Sequence, residues 1–276
     1  MNISPPVALT IAGSDNSAGA GAQADLKTFT ALGVYGLTAI SCVVAETPAC
    51  VSAIQAVDPG IVADQIRLSF EFFPVGAVKT GLLYSREIVE VVCDALENAR
   101  LPRRPFLVVD PVMVASSGNA LLKPDAISIY KGRLFPMAAL VTPNLDEART
   151  LLGHPVSNEA EMREAVEELA KMFGTAFLLK GGHLRGAAAT DLLFHEGRIA
   201  EFSAPFVSGV RTHGTGCTYS AAIAAGVAKG LPLETAIREA KEFVTKAIEE
   251  HFQWSHGGHA TAALNHFHGN SKSEDG

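Results

Sequence analysis

At 276 residues, with 48% hydrophobic and 18% charged side chains, the chain has ample material for a packed core. Its net charge of −7 excludes a general nucleic-acid binder, which needs a basic face, but leaves room for a small phosphorylated ligand held by local donors. Cysteines at 42, 50, 93 and 217 form no CxxC pair and are expected as reduced thiols of a cytoplasmic protein; neither a signal peptide nor a membrane span is expected.

In chain order, Val7–Ala12, Leu37–Val44, Val75–Val78, Phe106–Val109, Leu140–Thr142 and Phe177–Leu179 read as buried strands. They are continuous apolar runs without in–out alternation, as a parallel sheet covered on both faces requires. Helical periodicity intervenes. Residues 159–173 place Met162, Ala165, Val166, Leu169 and Phe173 on one stripe, with Asn158 and Glu161 as an expected capping box. Residues 233–251 carry a second stripe, Ala236, Ile237, Ala240, Val244, Ala247 and Ile248. Residues 191–202, with Glu196-Gly197 at the centre, predict an antiparallel hairpin at the sheet edge. The alternation predicts a three-layer α/β/α sandwich around a doubly wound, mostly parallel sheet. No linker divides it, so one domain is expected over 1–268, with a disordered polar tail at 269–276.

Ligands of open α/β sheets bind beyond the carboxyl ends of the parallel strands. The first run is followed by Gly13 to Gly21 and then Asp25; Val78 by Lys79-Thr80-Gly81; Val109 by Asp110; Val141 by Thr142-Pro143-Asn144 and Glu147; Leu179 by Lys180-Gly181-Gly182-His183. Lys180 suits phosphate, and Asp110 with Glu147 suits a hydrated divalent cation. Asn144 suits phosphate or metal-bound water. Singly, Asp110 and Asn144 also read as ordinary caps and Lys180 as a surface ion pair. The glycine-rich 13–21 and Ser/Gly-rich 115–119 segments are candidate lids.

The stretch Thr212-His213-Gly214-Thr215-Gly216-Cys217 precedes a run of small residues. It reads either as a turn whose amides open a helix as an anion site, with the Cys217 thiol pKa lowered there, or as a glycine turn with Cys217 a small apolar residue. Residues 13–21 do not spell G-x-G-x-x-G, and no G-x-x-x-x-G-K-[ST] occurs, which removes the dinucleotide and Walker readings. The C-terminal histidines 256, 259, 266 and 268 lack partners at metal-ligand spacing.

Taken in order, "LTIAGSDNSAGAGAQADLKTF" (9–29), "AVKTGLL" (77–83), "VVDPVMVASSG" (108–118), "VTPNLDEA" (141–148), "LLKGGH" (178–183) and "THGTGCTYSAAIAA" (212–225) resemble the ribokinase-like kinases, and most closely the hydroxymethylpyrimidine/phosphomethylpyrimidine kinases of thiamine biosynthesis. The resemblance spans about residues 7–267. It implies ATP and Mg²⁺ as cofactors, a hydroxymethyl pyrimidine as substrate phosphorylated twice, and a homodimer. Carried onto matching positions, it implies Cys217 as base with Gly214, Thr215 and Gly216 as the anion hole and Lys180 beside them. It further implies Gly13, Asp25, Val44, Glu46, Lys79 and Leu82 around the substrate, Asn144, Lys180, Thr212 and His213 around ATP and its phosphates, and Asp110 and Glu147 at the metal.

The chain departs from that pattern at Glu46, where the family usually has a glutamine that reads the aminopyrimidine edge, at Ser116 for lysine, and at Leu82 for methionine. An amide offers a donor and an acceptor, an ionised carboxylate only acceptors. Glu46 therefore keeps open a pyridoxine/pyridoxal kinase of the same superfamily. Two further readings are a thiol-nucleophile enzyme with His213 as the base, and a pyrimidine-binding protein without catalysis.

Overall fold

The computed structural model describes residues 4–47, 50–114, 121–182, 188–208 and 213–270. Thr212, His183, Ser116 and the whole 115–119 lid segment lie outside the described residues.

The main sheet has nine strands in the order β3-β2-β1-β4-β5-β6-β7-β8-β9. β1 (Val7–Asp15), β2 (Tyr35–Thr47), β4 (Val75–Thr80), β5 (Phe106–Val109), β6 (Leu140–Val141) and β7 (Ala176–Lys180) are parallel. β3 (Cys50–Ala56) closes one edge antiparallel to β2, while β8 (Ala188–His195) and β9 (Arg198–Pro205) close the other. Helices α2 (Pro59–Phe72), α3 (Arg86–Asn98), α6 (Leu145–Leu152) and α7 (Glu159–Phe173) cover one face, with the short α4 (Ala126–Ile129) and α5 (Phe135–Met137) joined by one π turn. Helices α1 (Gly21–Ala31), α8 (Thr215–Ala228) and α9 (Leu233–Glu249) cover the other. These are the three layers read from the sequence.

The continuous apolar runs are explained by how each strand divides its side chains. Leu9, Ile11, Val78, Leu107, Val109, Phe177 and Leu179 pack under α2, α3 and α7. Their neighbours Ala8, Ala77, Val108 and Leu178 pack under α1, α8 and α9. Successive residues face opposite sides, and both sides are dry, so no polar position interrupts the run.

α7 has the expected bounds, and Asn158 caps it by accepting from the Glu161 amide. The Glu161 carboxylate accepts from the Ser157 amide at 2.7 Å and from the Asn158 side-chain Nδ2 at 2.6 Å in place of the Asn158 backbone amide, so the reciprocal half of the expected box is displaced by one residue. The complete capping box lies elsewhere, at Asn144 and Glu147 of α6. The edge hairpin turns through Glu196 and Gly197, both at positive φ, the two-residue turn whose twist suits paired strands.

Three features differ from expectation. β1 runs on through Gly13 and Ser14 to Asp15, so the glycine-rich turn begins three residues later than its composition suggests. β3 and a separate hairpin, β10 (Phe252–His256) with β11 (His259–Ala263), have largely exposed side chains and hence no apolar run to announce them. Gly269 and Asn270, expected in the disordered tail, belong to the 3₁₀ turn Phe267–Asn270; residues 271–276 of that tail lie outside the described residues. Among the described residues no helix is long and apolar enough to cross a membrane.

Candidate active site

The expected strand-end residues converge where α8 begins. Gly214 caps α8 at φ +85, and a Cβ there would lie 1.8 Å from the Gly19 carbonyl oxygen. Only glycine permits that conformation and that approach. α1 starts beside it at Gly21, whose own Cβ would stand 2.4 Å from the Gly13 carbonyl oxygen. Neither helix has a side chain capping its N-terminus. Two helix N-termini, each carrying partial positive charge, are therefore held together by backbone contacts that exclude side chains.

Cys217, partly buried, stands in the first turn of α8, with the Gly21 amide bonded to its thiol. The lowered thiol pKa expected for that position is overturned. Burial raises it to about 11; Lys79 opposes the rise, and Asp110 and Asp25 add to it. At neutral pH the Cys217 side chain is therefore a protonated thiol.

Beneath the sulfur lies a fully buried ion pair, Lys79 Nζ to Asp25 Oδ2 at 2.8 Å, with Thr10 Oγ1 donating to the same carboxylate at 2.5 Å. Burial works against the Lys79 ammonium, but Asp25, Cys217 and Asp110 outweigh it and hold the pKa above the ordinary lysine value. Sequence reading placed Asp25 and Lys79 at the substrate; the structure makes them each other's partners, both at 0% exposure. Gly13 and Leu82 line the adjoining apolar corner, where a Cβ on Gly13 would press on Cys42 Sγ at 2.8 Å and Leu82 at 3.4 Å; Val44 packs in the same cluster.

On the other side of the α8 N-terminus, Lys180 Nζ bonds Asp110 Oδ1 at 2.9 Å and lies 3.2 Å from where a Gly216 side chain would begin. Asp110 also accepts from Thr142 Oγ1 and Ser220 Oγ, neither of which sequence reading singled out as a site residue. Asn144 and Glu147 close the group through their capping box, the Asn144 amide donating to Glu147 Oε2 at 2.8 Å. Thus Asn144 acts as a helix cap, while Lys180 backbone pairs beside it. The turn after Lys180 is fixed by Asp191, which accepts from the Gly181 amide and from Lys241 Nζ.

The two carboxyls here differ. Burial raises both, but Lys180 and Lys79 hold Asp110 below the usual range, whereas burial and the Asp110 charge carry Glu147 up to about 7. Such separation gives two neighbouring carboxyls different protonation at neutral pH. A raised carboxyl contributes stability that is complete below its unfolded value and is lost as pH rises through the folded one. Melting curves of Glu147→Gln and wild type without divalent cations should therefore coincide near pH 4.5 and separate by several degrees above pH 7, the variant higher, at ~2–4 °C per kcal/mol.

His213, expected at the phosphates, is held by two carboxyls. Its Nε2 is 3.2 Å from Asp15 Oδ2 and 3.9 Å from Glu46 Oε1. Asp15 was missed as a site residue: 198 positions separate it from His213, and no local pattern marks the pair.

The phosphomethylpyrimidine kinase family model matches residues 15–262. A hydroxymethylpyrimidine/phosphomethylpyrimidine kinase of Rhizobium meliloti is 44% identical over 95% of this chain and 97% of its own. A thiamine biosynthesis bifunctional protein of Geobacter sulfurreducens is 46% identical over 87% of this chain, which spans about half (48%) of that protein's length. Among solved structures, a Bacillus subtilis pyridoxal kinase in complex with ADP superposes with a TM-score of 0.86 at 35% identity, covering 95% of this chain and 98% of that one. The chain belongs to the phosphomethylpyrimidine kinase family and is a phosphotransferase of ribokinase-like fold.

Proposed function

We propose that this enzyme transfers the terminal phosphoryl group of ATP to the hydroxymethyl group of 4-amino-5-hydroxymethyl-2-methylpyrimidine, and then to the monophosphate so formed, in thiamine biosynthesis. The observation that carries this reading is the junction of two side-chain-free helix N-termini at Cys217, flanked by Lys180. Phosphoryl transfer needs alignment and neutralisation of spread negative charge more than covalent chemistry. The amides of residues 214–217 supply donors to the transferring oxygens, and Lys180, held by Asp110, supplies a fixed positive charge.

Cys217 takes the proton of the attacking hydroxyl. A small thiolate fraction suffices because proton loss in a loose transition state need not precede transfer. The thiol first loses its own proton to solvent; the Lys79 ammonium and the Gly21 amide stabilise the negative sulfur so left, and the hydroxyl proton then neutralises it. Asp25 acts through Lys79, keeping that charge in place under the substrate. Gly13, Val44 and Leu82 offer a small apolar wall for the ring.

Asp110 and Glu147 suit Mg²⁺ by their donor set. Burial and, after it, the Asp110 charge keep Glu147 raised against Lys180, and a bound cation would favour its ionised form. Mg²⁺ takes one or two carboxylates alongside phosphate oxygens and water, and when bound would neutralise the phosphate charge. Residues 1–268 act as one kinase domain, and Asn144 borders the phosphates. The protein is cytoplasmic. It is also a homodimer, for which the exposed Tyr35, Ile61, Leu68, Phe72 and Phe73 of β2 and the α2 region offer an apolar face.

The test is incubation of the pure protein with the pyrimidine, ATP and Mg²⁺, followed by mass spectrometry. Mono- and then diphosphate should accumulate, both abolished by chelation. Formation of neither phosphate with Mg²⁺ present contradicts the assignment.

A further inference from the structure

Lys241 occupies a place on α9 where an apolar residue belongs. It falls four positions after Ile237 and three before Val244, on the stripe that packs against the sheet, and it is buried with them. A buried ammonium needs a paired charge. Asp191 of β8, also buried, provides it, its Oδ2 lying 2.7 Å from Lys241 Nζ. The ring of Tyr219 on α8 faces the same nitrogen, its centre 5.8 Å away. Replacing such a pair by two apolar side chains commonly leaves stability unchanged or improved, so stability alone gives no reason for it.

The other oxygen of Asp191 supplies the reason. Asp191 stands opposite Lys180 in the β7–β8 ladder, and its Oδ1 accepts from the Gly181 amide at 3.0 Å, one residue beyond Lys180. The turn lies tight against β8: a Cβ on Gly181 would stand 2.1 Å from the Thr190 carbonyl oxygen and 2.8 Å from Met162 Cε. The Lys180 amide itself donates to the Pro143 carbonyl at 2.9 Å. The backbone that carries Lys180 is therefore held from both sides, by the segment after β6 and by Asp191. From there Lys180 Nζ reaches Asp110 at 2.9 Å, beside the start of α8. We infer that Asp191 and Lys241 are positioning residues for phosphoryl transfer, holding the Gly181 amide and so the backbone from which Lys180 extends toward the phosphates. The inference rests on the role proposed above for Lys180. Lys241 orients the Asp191 carboxylate so that Oδ1 meets the amide, and Asp191 then sets the direction of Lys180. Without that acceptor the buried Gly181 amide must shift to find another, and Lys180 shifts with it. Alignment of a charge with the transferring group tolerates little displacement.

The test is a double-mutant cycle on kcat, with saturating ATP and Mg²⁺ and the hydroxymethyl pyrimidine as acceptor, or pyridoxal should wild type prefer it. Asp191→Leu with Lys241→Met removes both charges together, so no ion is stranded, and leaves the Gly181 amide without its acceptor. This pair should lower kcat by about 10- to 100-fold with the KM of the acceptor little changed. Asp191→Asn with Lys241→Met keeps an oxygen for that amide and should recover most of the lost rate. In a Lys180→Met background, itself slowed, the Leu/Met pair should cost about twofold or less, because the group it positions is already gone. An equal fold loss in both backgrounds would overturn the inference, since the pair would then act on the fold at large. So would a Leu/Met variant as fast as wild type while Lys180→Met is slow. A Lys180→Met enzyme as fast as wild type would remove the role of Lys180 and this inference together. If the Leu/Met chain does not fold, Asp191→Ala with Lys241→Met, which likewise offers no acceptor, carries the same comparison.

Discussion

Cys217→Ala is expected to lower kcat by about 100- to 10,000-fold with little change in KM, the pattern of a group acting in the transition state. The thiol sits where two helix N-termini meet and where Lys79 lies below. Lys79 and Lys180 at this junction are each paired with a carboxylate, which leaves the thiol to take the proton. Because burial holds the thiol near 11, the wild-type kcat should still be climbing at pH 9, the proton acceptor becoming more available as pH rises. Cys217→Asp puts a carboxylate at the same place. It should keep part of the activity and flatten the alkaline limb. An alanine variant as fast as wild type would contradict the base role, and an aspartate variant as dead as alanine would favour a covalent thiol instead.

The second large effect is on stability. Lys79→Ala leaves the Asp25 carboxylate without its cation at 0% exposure, and removing one partner of such a pair costs about 3–5 kcal/mol. The same pair joins α1 to β4, so the loss should appear as a lower urea midpoint with an unchanged slope. Replacing both residues, Lys79→Met with Asp25→Asn, removes the uncompensated charge and should recover much of the stability, though not the activity. A Lys79→Ala protein within about 1 kcal/mol of wild type would mean that water or a neighbouring cation reaches Asp25.

The layers of the fold could be read from the chain because β1, β5, β6 and β7 are nearly dry on both faces, and Phe106–Val109 and Phe177–Leu179 have no polar residue to hide them; β2, expected as a buried strand over Leu37–Val44, is instead only partly covered and exposes Val43. Strand β3 gave no such run: most of Cys50–Ala56 is exposed, and Ser52 and Gln55 interrupt its apolar residues. Position on a strand end identified Lys79, Asp110, Asn144, Glu147 and Lys180, but not their partners. Lys79 meets Asp25 across 54 residues and Lys180 meets Asp110 across 70, separations that only the folded sheet closes. Asn144 and Glu147 show why residue type leaves alternatives open, since one pair of side chains caps a helix while bordering the carboxylate cluster. The Cys217 pKa was misjudged for a related reason. Local sequence announces the helix terminus, whereas the burial and the carboxylates that raise it come from remote segments.

The central claim is the ring that this phosphotransferase serves. A relative 44% identical is named as a hydroxymethylpyrimidine/phosphomethylpyrimidine kinase, while a pyridoxal kinase superposes at a TM-score of 0.86. The measurement that separates them is kcat/KM for the hydroxymethyl pyrimidine against pyridoxal, with saturating ATP and Mg²⁺ on the same preparation. The account predicts a ratio well above ten in favour of the pyrimidine, since a buried polar pair rejects a ring lacking its partner groups by at least about that factor. A ratio below one would contradict it and make Glu46 the residue that redirects this site to another ring.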